Sequence, residues 1–309
     1  MTTRPGRPAI SLVEILVVIA LVALLAGLLM PAVQQAREAA NRTECQNNLR
    51  QLGLALHGYH DRTGAFPPGY MDAATWPAGV TAANPAPANV GPGWAWGAFL
   101  LSYLEQEDVY EGIDFSKAVG DSSPNIVRAR STFLRVFYCP SDRQVGTWTL
   151  SDGTNSWELA QSSYAACNGN DGADDHTTPP HTGAFVRAMR GFRTAEITDG
   201  LSCTFFVGER VSTLAPCSWV GAPQGVQVTF FRLPGQFGDA DALVDGHCGV
   251  AAPNDPAVTD ADAMASAHAT GVQFLFGDGS VRLIGKGIDL NVYQALATRA
   301  GGETIQSTD

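Results

Sequence analysis

The chain has 309 residues, of which 45% are hydrophobic and 16% charged, and its formal net charge is −11. The charged fraction is below the roughly 25% of an average soluble protein, which excludes a charge-rich disordered chain. The acidic balance excludes the basic surface that binds nucleic acid, so no nucleic-acid partner is expected.

A long apolar segment follows a short basic start. Arg4 and Arg7 precede it, and no charged residue occurs between Ile15 and Ala36. As a helix, this stretch is about 33 Å long, which is enough to cross a bilayer. The sequence therefore predicts one transmembrane helix. Glu14 stands at its start, where an ionised carboxylate is costly unless a cation neutralises it.

This segment, RPAISLVEILVVIALVALLAGLLMPAV, resembles the N-termini of type IV prepilins and type II secretion pseudopilins. The resemblance implies a leader over residues 1–9, cleavage between Ala9 and Ile10, and methylation of the new Ile10 amine. It implies that Glu14 pairs with that amine on a neighbouring subunit and that Pro31 bends the helix. The implied partners are a prepilin peptidase, the inner-membrane assembly machinery and further copies of the chain.

An amphipathic pattern continues beyond the apolar run. Apolar side chains recur at spacings of three and four, which predicts a helix face packed on a core; they are Cys45, Leu49, Leu52, Leu56 and Tyr59. Gly64 is expected to end the helix. The predicted segments are a membrane helix over 10–36, its continuation over 37–64, and an exported body over 65–309.

The body combines helical and strand patterns. Residues 94–109 and 126–137 have helical spacing, whereas 204–211 and 226–233 have strand composition. Asp278-Gly279 predicts a two-residue hairpin that places Phe276 opposite Val281. The predicted fold class is α+β, with a long N-terminal helix packed on a mostly antiparallel sheet, pilin-like and with loop-rich insertions.

Several stretches resemble a second family. They are CQNNLRQLGLALHGYHDRTGAFPPG, FYCPSD, SSYAACNGN, ITDGLSCTFFVGER, and His268 followed after nine residues by Asp278-Gly279. Together they are similar to prepilin-type proteins with a DUF1559 (SBP_bac_10) domain and a C-terminal His-x9-Asp-Gly pattern, and this resemblance assigns no activity. A catalytic pair of His268 and Asp278 is disfavoured, because a strand between them would place them at its opposite ends.

Cysteines and oxygen-rich residues offer two further predictions. All six cysteines follow the apolar run, so disulfides are expected in an exported body, with the pairing open and Cys217–Cys248 slightly favoured. One polar segment could hold Ca²⁺, although it does not match the twelve-residue Ca²⁺ loop. Its candidate ligands are Asn168, Asn170, Asp171, Asp174 and Asp175.

The sequence contains none of the common catalytic motifs. Patterns of the serine-hydrolase, zinc-protease, phosphate-binding and dinucleotide-binding types are missing, so no enzyme activity and no other cofactor is expected. The predicted function is a structural subunit of a secretion-type or related filament, in the inner membrane with its N-terminus cytoplasmic and its body in the periplasm or at the cell surface. The alternative is a membrane-tethered binding module for a sugar or peptide, with a site lined by Trp76, Trp94, Trp96, Trp148, Trp157 and Trp219.

Overall fold

The computed structural model describes residues 12–71, 92–143, 146–170, 182–188, 190–223, 226, 228–229, 237–238, 240–249, 251–255, 260 and 262–303. Within these residues one helix is far longer than the rest. The helices are α1 (Leu12–Thr63), α2 (Trp96–Phe99), α3 (Glu107–Tyr110), α4 (Pro124–Ser131) and α5 (Leu290–Ala297).

The strands form a central five-stranded sheet and two small two-stranded sheets. They are β1 (Thr147–Ser151), β2 (Ser156–Ala160), β3 (Tyr164–Gly169), β4 (Phe205–Glu209), β5 (Val228–Thr229), β6 (Phe237–Gly238), β7 (Asp245–His247), β8 (Val272–Phe276) and β9 (Val281–Ile284). The central order is β7-β3-β4-β8-β9, and only the β3–β7 pair is parallel. Helices with mostly antiparallel sheets confirm the predicted α+β class.

Helix α1 contains two halves with different surroundings. Every large apolar side chain from Leu12 to Val33 is exposed, with fractions from 48% to 76%. This half is the one segment of the described residues that is long and apolar enough to cross a membrane, and none of it is buried against the body. The second half buries one face, formed by Cys45, Asn48, Leu49, Leu52, Gly53, Ala55 and Leu56.

The long helix was predicted from Ile10, and its described part ends where the glycine pattern indicates. Gly64 has a φ of +80°, a left-handed conformation that ends helices and favours glycine. Its amide donates to the His60 carbonyl at 2.7 Å. The helix predicted over 94–109 is instead divided into α2, a 3-10 turn over Leu101–Tyr103, and α3. Glu105, with a φ of +58° that a right-handed helix cannot continue, separates the turn from α3.

The sheet lies between α1 and α5. On one face of β8, Phe274 packs against Tyr293 of α5, with ring centroids 5.9 Å apart. On the other face, Leu275 is fully buried against α1. A Cβ atom at Gly53 would stand only 2.8 Å from Leu275 Cδ1, so glycine is what allows α1 to approach this strand closely.

The predicted β8–β9 hairpin is present, but its register is shifted by one residue. Leu275 pairs with Val281 and Phe274 with Arg282, whereas the two-residue turn predicted Phe276 opposite Val281. The Phe276 amide donates to the Ser280 carbonyl at 2.9 Å, which leaves a three-residue loop. Gly279 at φ +83° provides the left-handed position that such a loop requires.

Candidate functional site

Four distant parts of the chain meet where α1 rests on the sheet. Cys45 comes from α1, Cys139 follows a short 3-10 turn, Glu209 ends β4, and His268 precedes β8. Each is at most 3% exposed. Cys45 and Cys139 form a disulfide with Cα atoms 5.2 Å apart. We call these four residues the junction cluster, since they join the helix to the body.

The imidazole of His268 is the centre of this cluster. Its Nε2 lies 3.3 Å from Cys45 Sγ, 3.5 Å from Cys139 Sγ and 3.4 Å from Glu209 Oε1. Its Nδ1 lies 2.5 Å from Oε1 of Glu38, a half-exposed residue on α1. The other oxygen of Glu38 accepts a 2.8 Å hydrogen bond from the Ser141 hydroxyl. A carboxylate thus stands on each side of one buried ring.

These carboxylates control the charge of the ring. Burial lowers the pKa of His268, but hydrogen bonds and charges from Glu209 and Glu38 outweigh burial and raise it above its usual value. Burial raises the pKa of Glu38, yet its hydrogen bonds to His268 and Ser141 leave that pKa lowered. The disulfide-bonded cluster therefore favours an imidazolium between two carboxylates.

Glu209 has unequal oxygens. Oε2 accepts a 2.9 Å hydrogen bond from the Gln273 amide of β8. Oε1 faces His268 and lies 3.4 Å from its Nε2, so the imidazole ring is its partner among the described residues. A buried carboxylate oxygen is costly without a neighbouring positive charge, so this position favours a cation, which the imidazolium of His268 provides here.

Arg210 directly follows Glu209, and because successive side chains point to opposite faces of a strand, it belongs to a different hydrogen-bond network. Arg210 is fully buried and donates to the Asp245 carbonyl at 2.7 Å and the Pro216 carbonyl at 3.2 Å. The loop that carries Cys139 is fixed by Asp142, which accepts from the Ser163 hydroxyl at 2.9 Å and from the amide and hydroxyl of Ser212. These bonds hold the cluster's loops in place.

A second buried group lies beside β7. His247 Nε2 is 2.9 Å from Asp260 Oδ2 and 3.2 Å from Asp262 Oδ1. Burial lowers the pKa of His247, but the two carboxylates outweigh it and raise that pKa well above its usual value. The three donor atoms are close enough to share a metal ion. An ion triad explains them equally well, because the ring already faces both carboxylates.

The sequence-predicted site residues do not form one site. Glu14 and Pro31 lie in the exposed apolar half of α1, while Ala9 and Ile10 are outside the described residues. Of the Ca²⁺ candidates, Asp171, Asp174 and Asp175 are also outside them. Asn168 is buried at the end of β3, and Asn170 Oδ1 accepts from the Thr182 hydroxyl at 2.9 Å.

The two ends of the His-x9-Asp-Gly pattern have different surroundings. His268 belongs to the junction cluster, and β8 separates it from Asp278. Asp278 accepts a hydrogen bond from the Ser280 amide at 2.9 Å and lies 3.6 Å from Arg282, so it stabilises the turn. Gly279 supplies the left-handed position described above. His268 and Asp278 therefore lie at opposite ends of β8 and do not meet in one reaction centre.

The favoured Cys217–Cys248 disulfide is wrong. Both residues are free thiols in the core, and burial raises the pKa of Cys217 to about 11. The actual pair is Cys45–Cys139, which sequence reasoning left undecided. A usable indication was present, because both cysteines lie inside stretches quoted for the family resemblance, CQNNLRQLGLALHGYHDRTGAFPPG and FYCPSD.

The tryptophans considered for a sugar or peptide site are largely core residues. Trp94, Trp96 and Trp219 are fully buried, and Trp148 is 9% exposed. The ring nitrogens of Trp94 and Trp96 donate to backbone carbonyls within the body. These four side chains therefore do not form an aromatic surface, and Trp76 lies outside the described residues.

Comparison with known proteins gives a family for the chain. Searches of curated proteins and of solved structures gave no match. The model of a family described as "Protein of unknown function (DUF1559)", SBP_bac_10, matches residues 34–291. That range contains the second half of α1, the whole central sheet and all four members of the junction cluster. Because the match covers most of the sequence, the chain belongs to the DUF1559 (SBP_bac_10) family.

Proposed function

We propose that this protein is a membrane-inserted, pilin-like structural subunit that prepilin peptidase processes and that assembles into a secretion-type or related filament. The observation that carries the proposal is the division of α1. Its second half buries one face against the body, whereas the large side chains from Leu12 to Val33 have no covering from the body. The role is structural, with no catalytic step assigned.

The exposed half of α1 needs another apolar environment. Removing one large aliphatic side chain from water is worth about 1.5–3 kcal/mol, so a row of them is strongly unfavourable in water. Lipid provides that environment before assembly, and equivalent helices of neighbouring subunits provide it in a filament. A single-pass helix with a rigidly attached body meets both requirements.

Glu14 supports assembly over simple anchoring. It lies in the first turn of α1, directly before the uncharged run. Cleavage between Ala9 and Ile10 would create a cationic amine that a neighbouring subunit could place beside this carboxylate. When one partner of a charge pair in a low-dielectric environment is lost, the assembly that holds the pair is destabilised by about 3–5 kcal/mol, because the other charge remains without a counter-charge. Glu14 would therefore set the register between subunits.

The disulfide supports an exported body. Cys45–Cys139 joins α1 to the body, and structural disulfides persist in oxidising compartments outside the cytoplasm. We accordingly place the N-terminus in the cytoplasm, α1 in the inner membrane, and the body in the periplasm or at the cell surface. The inner-membrane assembly machinery is the proposed partner after processing.

The test is the replacement Glu14→Ala, with Glu44→Ala as the matched control on an exposed position of the same helix. We expect Glu14→Ala to leave the circular dichroism and protease resistance of the body unchanged while sedimentable filaments fall at least tenfold. The physical reason is that the amine of the neighbouring subunit then lacks its counter-charge. Glu44→Ala should assemble normally. Normal filaments from Glu14→Ala would overturn the proposal.

A further inference from the structure

We propose that the junction cluster is a zinc site in its reduced form, with Cys45, Cys139, Glu209 and His268 as the four ligands. Zn²⁺ would be held by two thiolates, the Nε2 of His268 and the Oε1 of Glu209. This site goes beyond the filament role and does not depend on it. Its ligands come from four distant parts of the chain, which explains why the sequence shows no zinc motif with closely spaced cysteines.

The distances around His268 fit tetrahedral coordination. With Zn–S bonds of about 2.3 Å and Zn–N and Zn–O bonds of about 2.1 Å, a tetrahedral site separates N from S by about 3.6 Å and N from O by about 3.4 Å. The corresponding separations from Nε2 are 3.3 and 3.5 Å to the two sulfurs and 3.4 Å to Glu209. All four ligand atoms lie within 4.8 Å of one another.

Two further contacts point to a bound cation. Glu209 is 2% exposed, and its Oε1 faces the cluster 3.4 Å from His268 Nε2, so the arrangement already favours positive charge beside this oxygen. His268 Nδ1 is 2.5 Å from the Glu38 carboxylate. When that nitrogen donates to Glu38, the neutral ring presents the lone pair of Nε2 to the cluster. A carboxylate behind a histidine in this manner is the usual outer contact of a zinc ligand.

The donor types select the metal. Two thiolates with one imidazole and one carboxylate suit Zn²⁺, whereas Ca²⁺ and Mg²⁺ require oxygen ligands. The cluster is buried, but a surface groove reaches His268, and Ser141, Ser266 and Lys286 are among the residues that line it. Of the four ligands, His268 is the one that borders this groove.

Zinc binding and the disulfide exclude each other, because the same two sulfurs serve both. Reduction of Cys45–Cys139 by a dithiol of the thioredoxin class takes two electrons and two protons, gives two thiols, and leaves the dithiol as a disulfide. Binding of Zn²⁺ then releases the two thiol protons. In the opposite direction, oxidation by a disulfide partner reforms the Cys45–Cys139 bond and releases Zn²⁺.

The experiment uses the full-length protein in detergent micelles, compared as isolated in the oxidised state and after anaerobic reduction with a phosphine. Both samples are stripped with a chelator, dialysed against Zn²⁺ and analysed for bound metal. We expect one Zn²⁺ per reduced chain and at least tenfold less in the oxidised protein. X-ray absorption should show two sulfur ligands, and Co²⁺ should give a thiolate charge-transfer band.

Variants assign the ligands. Cys139→Ser and His268→Gln should each reduce zinc content at least tenfold, and Glu38→Gln should weaken affinity about 10–100-fold. Cys217→Ser, which alters a buried free thiol outside the cluster, should retain full zinc content. The comparison of the two redox states needs no substitution, so the test holds even if a variant fails to fold. Reduced wild-type protein that binds no zinc, or zinc with fewer than two sulfur ligands, would overturn the proposal.

Discussion

At the scale of single residues, buried ionisable side chains fix the orientation of loops that apolar packing alone would leave free. Asp142 gathers donors from two other segments, and Arg210 binds two backbone carbonyls deep in the body. Removing one partner from such a buried charge network typically costs about 3–5 kcal/mol. These few buried charged residues therefore contribute strongly to holding the surrounding loops in one conformation.

The His247 triad should make stability depend on pH. The raised pKa of His247 stabilises the fold fully below its unfolded value of about 6.5, and this contribution is lost as pH rises through the folded pKa. The pKa of Asp262 is lowered chiefly by His247 against the effect of burial, so its contribution is lost as the solution becomes strongly acidic. The backbone amide of Gly249 donates to Nδ1 of His247 at 3.1 Å, which favours the neutral imidazole. The two carboxylates have the larger effect, so the pKa of His247 remains raised.

We expect the unfolding free energy of the wild type to fall above pH 6.5, with a slope of up to about 1.4 kcal/mol per pH unit for each of the two histidines whose pKa is raised, His247 and His268. His247→Gln removes one of the two histidines whose pKa is raised, so this slope should become shallower while the contribution of His268 remains. Chemical denaturation followed by tryptophan fluorescence at several pH values measures both. Equal slopes in the two proteins would show that His247 does not titrate on unfolding.

At the scale of elements, α1 is one continuous helix with two kinds of surface. Leu49 and Leu52 are fully buried against the body, whereas Leu54, only a few residues away, is 74% exposed. The i, i+3, i+4 spacing thus determines which leucines hold the body on the helix. The helix is both an apolar rod and the support of the sheet.

A matched pair of substitutions tests this division. Leu49→Ala should destabilise the body by about 2–5 kcal/mol, because it removes buried surface and leaves a cavity. Leu54→Ala should change stability by less than about 0.5 kcal/mol, as surface substitutions do. Urea unfolding in detergent micelles compares the two. Similar losses for both variants would mean that the helix packs on the body through another face.

Local sequence patterns predicted where helices and strands occur better than they predicted strand register or cysteine pairing. The spacing from Cys45 to Leu56 predicted the buried face of α1, and Asp278-Gly279 predicted the hairpin. The register was wrong, because the same dipeptide fits both two-residue and three-residue loops. Cys45 and Cys139 are 94 residues apart, and no local pattern specifies which distant cysteines meet. The contact between Glu209 and His268 follows from tertiary packing alone.

At the scale of the whole molecule, a folded body is mounted on half of a long helix and an apolar half projects from it. The junction cluster locks the two parts together through a disulfide and a histidine between carboxylates. This arrangement fixes the body to the helix through a covalent bond and ion pairs. It is compatible with the filament subunit proposed above, in which the exposed helix halves would pack together.

The processing step is the most direct test of the pilin-like assignment. Protein isolated from its native membrane, without a tag at the N-terminus, can be digested and its first peptide sequenced by mass spectrometry. The account predicts a chain that begins at Ile10 with a methylated amine, which provides the cation opposite Glu14. A chain that still begins at Met1, with residues 1–9 intact, would contradict it.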